Sequence, residues 1–137
     1  LSQVKRIIVK KILQHATIKS TTNGKVYPAH LSTITDPTFP CICFEFGGPG
    51  TKSLASYSKG MNSALNFWCY GEIRKGFEVP NDLHRYLVDQ LDLQDIQDTT
   101  FNIKVVCEKK GETAEFNDPE SNNPYVFCGW EVTALRS

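Results

Sequence analysis

The apolar residues of the chain recur with two different periods, which predict two helices and four strands. Residues 3–14 carry aliphatic side chains at helical spacing, and residues 80–91 repeat that pattern from Pro80 onward. Four segments alternate with a period of two, as half-buried strands do; they are 39–46, 64–70, 101–107 and 125–134. The order helix, strand, strand, helix, strand, strand predicts an α+β fold with a mixed or antiparallel sheet of about four main strands. Both helices are expected on one face of that sheet.

Polar segments separate these elements. Residues 19–24 predict a turn, and residues 26–28 predict a short strand at the sheet edge, because Pro28 cannot donate to a central ladder. Two segments, 47–63 and 108–124, are rich in Gly, Pro or Asn and predict long loops in a single domain spanning 1–137. Loops of that length are commonly functional. We therefore expect 47–63 and 110–124 to contact neighbouring subunits or partner rings rather than the core of their own domain.

The overall charge argues against two classes of function. The 137 residues contain 15 basic and 15 acidic side chains, so the net charge is zero. Bulk electrostatic attraction to nucleic acid or to an anionic membrane is therefore not expected. The apolar runs are too short for a transmembrane helix, and the composition is that of a soluble globular domain.

The distribution of charge predicts self-association. Residues 1–25 contain six basic and no acidic side chains, whereas residues 82–120 contain ten acidic and four basic ones. Two complementary poles on one molecule favour head-to-tail contacts between copies; chance clustering of solvated charges is the alternative. The side chains predicted to form a subunit or partner interface are basic, loop and acidic residues: Lys5, Arg6, Lys10, Lys11, Gly48, Pro49, Lys52, Asp92, Asp95 and Asp118.

Motifs for catalysis or metal binding are sparse, and the sequence predicts no catalytic, cofactor or metal site. Residues 47–53 resemble a phosphate-binding loop, but Thr51 stands where that motif requires the glycine before the lysine. Three histidines have no accompanying nucleophile motif, and the aspartates at 89, 92, 95 and 98 lack the glycine turn of a cation loop. The five cysteines alternate with apolar residues in predicted strands, so we expect buried free thiols without disulfides or metal.

Short motifs also occur in a recognisable order. Residues 24–28 read Gly-Lys-Val-Tyr-Pro, and residues 39–44 form a strand that opens on Phe-Pro. An aromatic-rich strand at 66–70, a helix at 82–91 and a long final strand at 125–134 follow. This arrangement, from about residue 3 to 134, resembles the tail-completion, or tail-terminator, proteins of tailed bacteriophages.

The resemblance implies a structural virion protein without catalytic residues or cofactors. Its expected form is a hexameric ring in the tail or neck, assembled in the host cytoplasm, that ends the tail tube and joins it to the head connector. The implied partners are further copies of the chain, the tail tube protein and a connector or head-closure protein. No membrane is involved, and DNA only passes through the lumen. Alternatives are a head-closure or tail-tube protein and, from a different class, a small-molecule enzyme or regulatory binding domain.

Overall fold

A computed structural model describes residues 2–47 and 60–136. Within these residues there are three α-helices, which are α1 (Ser2–Leu13), α2 (Ala16–Thr22) and α3 (Glu78–Leu91). The strands are β1 (Val26–Tyr27), β2 (Cys41–Phe46), β3 (Gly60–Tyr70), β4 (Ile96–Asp98), β5 (Ile103–Lys109), β6 (Ala114–Asn117) and β7 (Pro124–Arg136). The α+β class is confirmed, but the described residues contain seven strands rather than about four, and a third helix.

The strands form one mixed sheet in the order β1-β2-β3-β7-β5-β4. β1 pairs with β2 in parallel, and every other pairing is antiparallel. β7 pairs with three other strands: with β3 along its length on one side, and successively with β6 and β5 on the other. β1 and β4 are therefore the two outer strands of the main path, and α1 packs against both of them.

The main core lies on the sheet face that α1 and α3 cover. Alternate residues of β2, such as Ile42 and Phe44, point into it, while Cys41 and Cys43 point into a smaller cluster on the opposite face. This is the alternation that the sequence predicts for that strand. The fully buried side chains that the helices contribute are Val4, Ile8, Ile12, Ile18, Leu83, Leu87 and Leu91. Their burial removes apolar surface from water, which is the main source of the stability of the fold.

The predicted turn at 19–24 is wrong, because α2 continues to Thr22. Three contacts within the helix and its caps explain how this polar segment remains helical. The Nδ1 atom of His15 accepts from the backbone N–H of Ile18, the Thr22 hydroxyl donates to the carbonyl of Ile18 at 2.7 Å, and Asn23 adopts a left-handed cap with φ of 53°. The turn follows one residue later.

The two predicted loops are also shorter than expected in the described residues. β3 already begins at Gly60, and β6 occupies residues 114–117 of the second loop. β6 is exposed and polar, so its strand character comes from pairing with β7 rather than from an apolar pattern. The sequence pattern does not predict β4 either, because only Ile96 of its three residues is buried. Residues 48–59 lie outside the described part of the chain.

Candidate subunit interface

Helix α1 presents its basic side chains on the surface opposite the core. Val4, Ile8 and Ile12 are fully buried, whereas Arg6 and Lys10 are exposed. Lys5 is half-buried, and its Nζ atom lies 5.9 Å from the centroid of the Phe46 ring, a cation–π distance. The helix therefore offers one positive charge held against an aromatic ring and two exposed ones.

A groove runs between α1 and the outer strand β1. It has a volume of about 450 Å³ and is lined by Lys5, Arg6, Val9, Lys10, Val26 and Pro28. The three basic side chains form its rim, and the aliphatic residues of both elements form its floor. We call this feature the basic groove. Its lining contains no acidic side chain.

The opposite flank of α1 faces an acidic segment of the same chain. Lys10 and Lys11 line a second groove together with Asp95 and Asp98 of the β4 segment. The basic and acidic poles that are far apart in the sequence therefore meet within one subunit on this side. Lys11 lines only this second groove and Lys10 lines both, so part of the predicted charge complementarity is intramolecular.

The three described acidic residues of the predicted interface form contacts within their own subunit. Asp95 forms an exposed ion pair with Lys104 at 3.2 Å, and an Oδ1 atom of Asp92 accepts from the backbone N–H of Lys109 at 2.9 Å. Asp118 lies elsewhere, in the turn before β7, where its Oδ2 atom accepts from the N–H and the hydroxyl of Ser121. The structure thus groups Asp92 with Asp95 and separates both from Asp118. Gly48, Pro49 and Lys52 lie outside the described residues.

All three histidines hold structural positions. His15 caps α2 and stacks on Tyr86, and His30 caps the short 3₁₀ turn at 31–33, accepting from the N–H of Ser32. His84 is buried, and its Nε2 atom accepts from the indole N–H of Trp130 at 3.1 Å. The Nδ1 atom of His30 also lies 2.9 Å from the Oγ atom of Ser32, which places this histidine beside a hydroxyl group.

The cysteines are buried, as their alternation with apolar residues predicts. Burial raises the pKa of the Cys69 and Cys128 thiols and raises that of Cys107 to about 12. The pKa of Cys41 is also raised, first by a hydrogen bond with Cys43 and then by burial. Thiols in this state are weak nucleophiles and weak metal ligands. In residues 2–47 and 60–136, no cluster of three potential metal ligands occurs.

A cavity of about 520 Å³ lies on the sheet face away from α1, between the 30–39 segment and the 118–121 turn. Two carboxylates line it, of which Asp118 is already bonded within the turn. His30 and Ser32 line it as well, but in the described residues no carboxylate bonds to the His30 ring, as the orienting third group of a catalytic triad would. Among the described helices, none is long and apolar enough to cross a membrane.

The charges in the sequence do not predict two features of the surface. The floor of the basic groove depends on Val26 and Pro28, which reach α1 only through the pairing of β1 with β2. Leu93, which follows α3, is 65% exposed and has a φ of 57°, a conformation that leucine rarely adopts. The sequence signal for Leu93 is weak: one apolar residue within an acidic run.

No protein-family model matches the chain, and no curated protein matches it. A solved structure described as the virion of a native gene transfer agent particle contains a chain that is similar to this one. The superposition has a TM-score of 0.60 and covers 90% of this chain and 91% of that chain, with 10% sequence identity. At this identity the likeness establishes a shared fold.

Proposed function

We propose that this chain is a structural virion protein that assembles into a hexameric ring, ends a phage-type tail tube and joins it to the head connector. The observation that carries the proposal is the superposition over nine-tenths of both chains on a component of a virion particle. The resemblance to tail-terminator proteins, drawn from the sequence alone, leads to the same class. In this proposal the partners are other copies of the chain, the tube protein and a connector or head-closure protein.

The surface of the subunit supports a role in assembly. Two exposed basic side chains, Arg6 and Lys10, lie at the basic groove, and the acidic residues lie mainly along α3, β4 and the β5–β6 region. In the described residues, His15 caps a helix, His84 is bonded to Trp130 and the thiols are buried, whereas His30 contacts the Ser32 hydroxyl at the edge of a cavity without an orienting third group. The alternative enzymatic function has only that pair in its favour.

The location of the protein in particles tests the proposal. Antibody labelling of purified particles is expected to mark one site, at the junction of head and tail, and quantitative mass spectrometry is expected to give six copies per particle. Labelling along the whole tail would instead indicate a tube protein. Absence of the protein from purified particles would contradict the proposal.

Assembly of the ring is expected to weaken with salt. Screening at about 0.5 M salt reduces the range of charge interactions to a few ångströms, and each exposed pair contributes only about 0–1 kcal/mol. A closed ring repeats the contact at every interface, so these small contributions accumulate. Sedimentation at low and high salt should therefore show a loss of the largest species, whereas assembly independent of salt would indicate an apolar interface.

Reversing the charge of Lys10 and Lys11 together is expected to weaken assembly further at low salt. Reversal of Asp92 and Asp95 in the same chain is expected to restore part of it. Because Lys10 and Lys11 also face Asp95 and Asp98 within the subunit, the thermal midpoint of each variant is the necessary control. If the Lys10 and Lys11 variant assembles like the wild type, the charge layout plays no part in the ring.

A further inference from the structure

Leu93 is held in an unfavourable conformation and in an unfavourable environment. Its φ of 57° is left-handed, where a side chain crowds the backbone and where Gly or Asn is preferred. Its side chain is nevertheless 65% exposed. The isolated subunit gains nothing from an apolar residue here, because neither the backbone conformation nor the burial favours leucine.

The backbone around Leu93 is fixed. The N–H of Leu93 donates to the carbonyl of Cys107 in β5 at 2.8 Å, and the Asp92 carboxylate accepts from the N–H of Lys109 at 2.9 Å. The N–H of Gln94 donates to the carbonyl of Leu91 at 3.1 Å. The leucine side chain therefore projects from a rigid position, with Asp92 and the exposed Asp95 as its acidic neighbours in the chain. We call these three residues the Leu93 knob.

The basic groove has the complementary chemistry. The knob is an exposed apolar side chain with two carboxylates near it in the chain, of which Asp92 accepts from the N–H of Lys109 and Asp95 forms an exposed ion pair with Lys104. The groove is lined by the aliphatic Val9, Val26 and Pro28 together with three basic side chains. Its volume of about 450 Å³ accommodates a leucine side chain with neighbouring backbone. A contact of this kind would bury the apolar part at its centre and place the charged groups at the rim, as in stable protein interfaces.

The two features lie at different places on the subunit. The groove borders β1, one outer strand of the sheet, while the N–H of Leu93 donates to β5 beside β4, the other outer strand. Helix α1 packs against both outer strands, and Lys10 of the groove lines the second groove together with Asp95 of the knob. The knob and the basic groove share no residue, so one copy can use both at once. Contact between two different patches of identical chains is heterologous and generates a ring when the rotation closes.

From this we infer that the Leu93 knob of one copy inserts into the basic groove of the next copy. The inference rests on the proposed ring-forming function and specifies the contact that builds the ring. It identifies Leu93 as the apolar centre of the interface and assigns Lys5, Arg6 and Lys10 of α1 to its rim.

The first test separates assembly from stability with the Leu93→Asn variant. Asparagine is favoured at positive φ, so the thermal midpoint is expected to stay the same or rise, while the concentration needed for half-assembly rises at least tenfold. Ile73→Asn is the matched control, because Ile73 is also an exposed aliphatic residue, at 49%, and is expected to leave assembly unchanged. Wild-type assembly by Leu93→Asn, or a clear loss of its thermal midpoint, would overturn the inference.

The second test asks whether two defective copies complement each other. Val9→Asp damages the groove and leaves the knob intact; should it not fold, Arg6→Glu at the exposed rim replaces it. At the wild-type half-assembly concentration each variant alone is expected to be mainly monomeric, while an equimolar mixture with Leu93→Asn is expected to form dimers and nothing larger, because only one intact knob and one intact groove can meet. A mixture that stays monomeric would overturn the inference. If the wild type itself does not assemble, the proposed ring function fails first.

Discussion

Acidification from about pH 7 to about pH 4 is expected to remove about 3 kcal/mol of stability through His84 alone. Burial, and next the charge of Lys109, lower the pKa of this histidine from 6.5 to about 4. Its Nε2 atom must be unprotonated in the folded state, because the indole N–H of Trp130 can only donate. The folded state therefore excludes a proton that the unfolded state binds.

The direction of the pH effect follows from that difference. The contribution of neutral His84 is complete above the unfolded pKa of about 6.5 and is lost as the pH falls toward 4. Urea unfolding measured at several pH values in this window would give the slope. Carboxylates contribute a slope of their own at the acidic end, so the measurement needs a variant that differs only at this position.

His84→Gln provides that variant. The glutamine carbonyl can accept from Trp130 but does not titrate between pH 4 and 7. The difference between the wild-type and His84→Gln stabilities is therefore expected to change by about 3 kcal/mol across the window. Parallel pH profiles for the two proteins would show that His84 is not held neutral in the folded state.

Replacing Gly71 with alanine is expected to cost about 2 kcal/mol, the second large effect. An added Cβ would lie 2.8 Å from Cδ and 2.9 Å from Cγ of Pro80, which is in the first turn of α3. The backbone cannot easily move away, because the N–H of Gly71 donates to the carbonyl of Pro124 and its own carbonyl accepts from the side-chain amide of Asn123, both at 2.8 Å. Two rigid prolines and two hydrogen bonds thus enclose this position.

Gly47→Ala is the matched control for Gly71. An added Cβ at Gly47 has no heavy atom of residues 2–47 and 60–136 within 4 Å, so its effect on stability is expected to stay within about 0.5 kcal/mol. Chemical denaturation of both variants measures the difference. Equal stabilities for the two variants would show that the junction between α3 and the turn before β7 accommodates the extra methyl group without loss of stability.

The parts of the fold that the sequence predicts are those with a strong internal pattern. In β2, Ile42 and Phe44 alternate with Cys41 and Cys43 between two apolar clusters, so the period of two is visible without the structure. The missed elements lack such a pattern. β6 is exposed along most of its length and is a strand because β7 extends beside it, a pairing partner that lies seven residues further along the chain.

The candidate site could likewise be predicted only in part. Charge is a property of each residue, so the sequence alone is enough to predict the basic side chains of α1 as interface residues, and this stays a prediction. The aliphatic floor of the basic groove could not be predicted, because Val26 reaches it through parallel pairing with Ile42 in β2. The left-handed backbone at Leu93 follows from its bond to Cys107. For a leucine, such a conformation is set by tertiary contacts rather than by local preference.

We propose that this chain forms a closed ring, and the mass of the wild-type protein in solution tests that proposal most directly. At low salt and about 100 μM protein, where mass action favours association, native mass spectrometry is expected to give one main species of six times 15.4 kDa. Electron micrographs of the same sample are expected to show rings with sixfold symmetry. A single species of 15.4 kDa at every concentration would contradict the proposal.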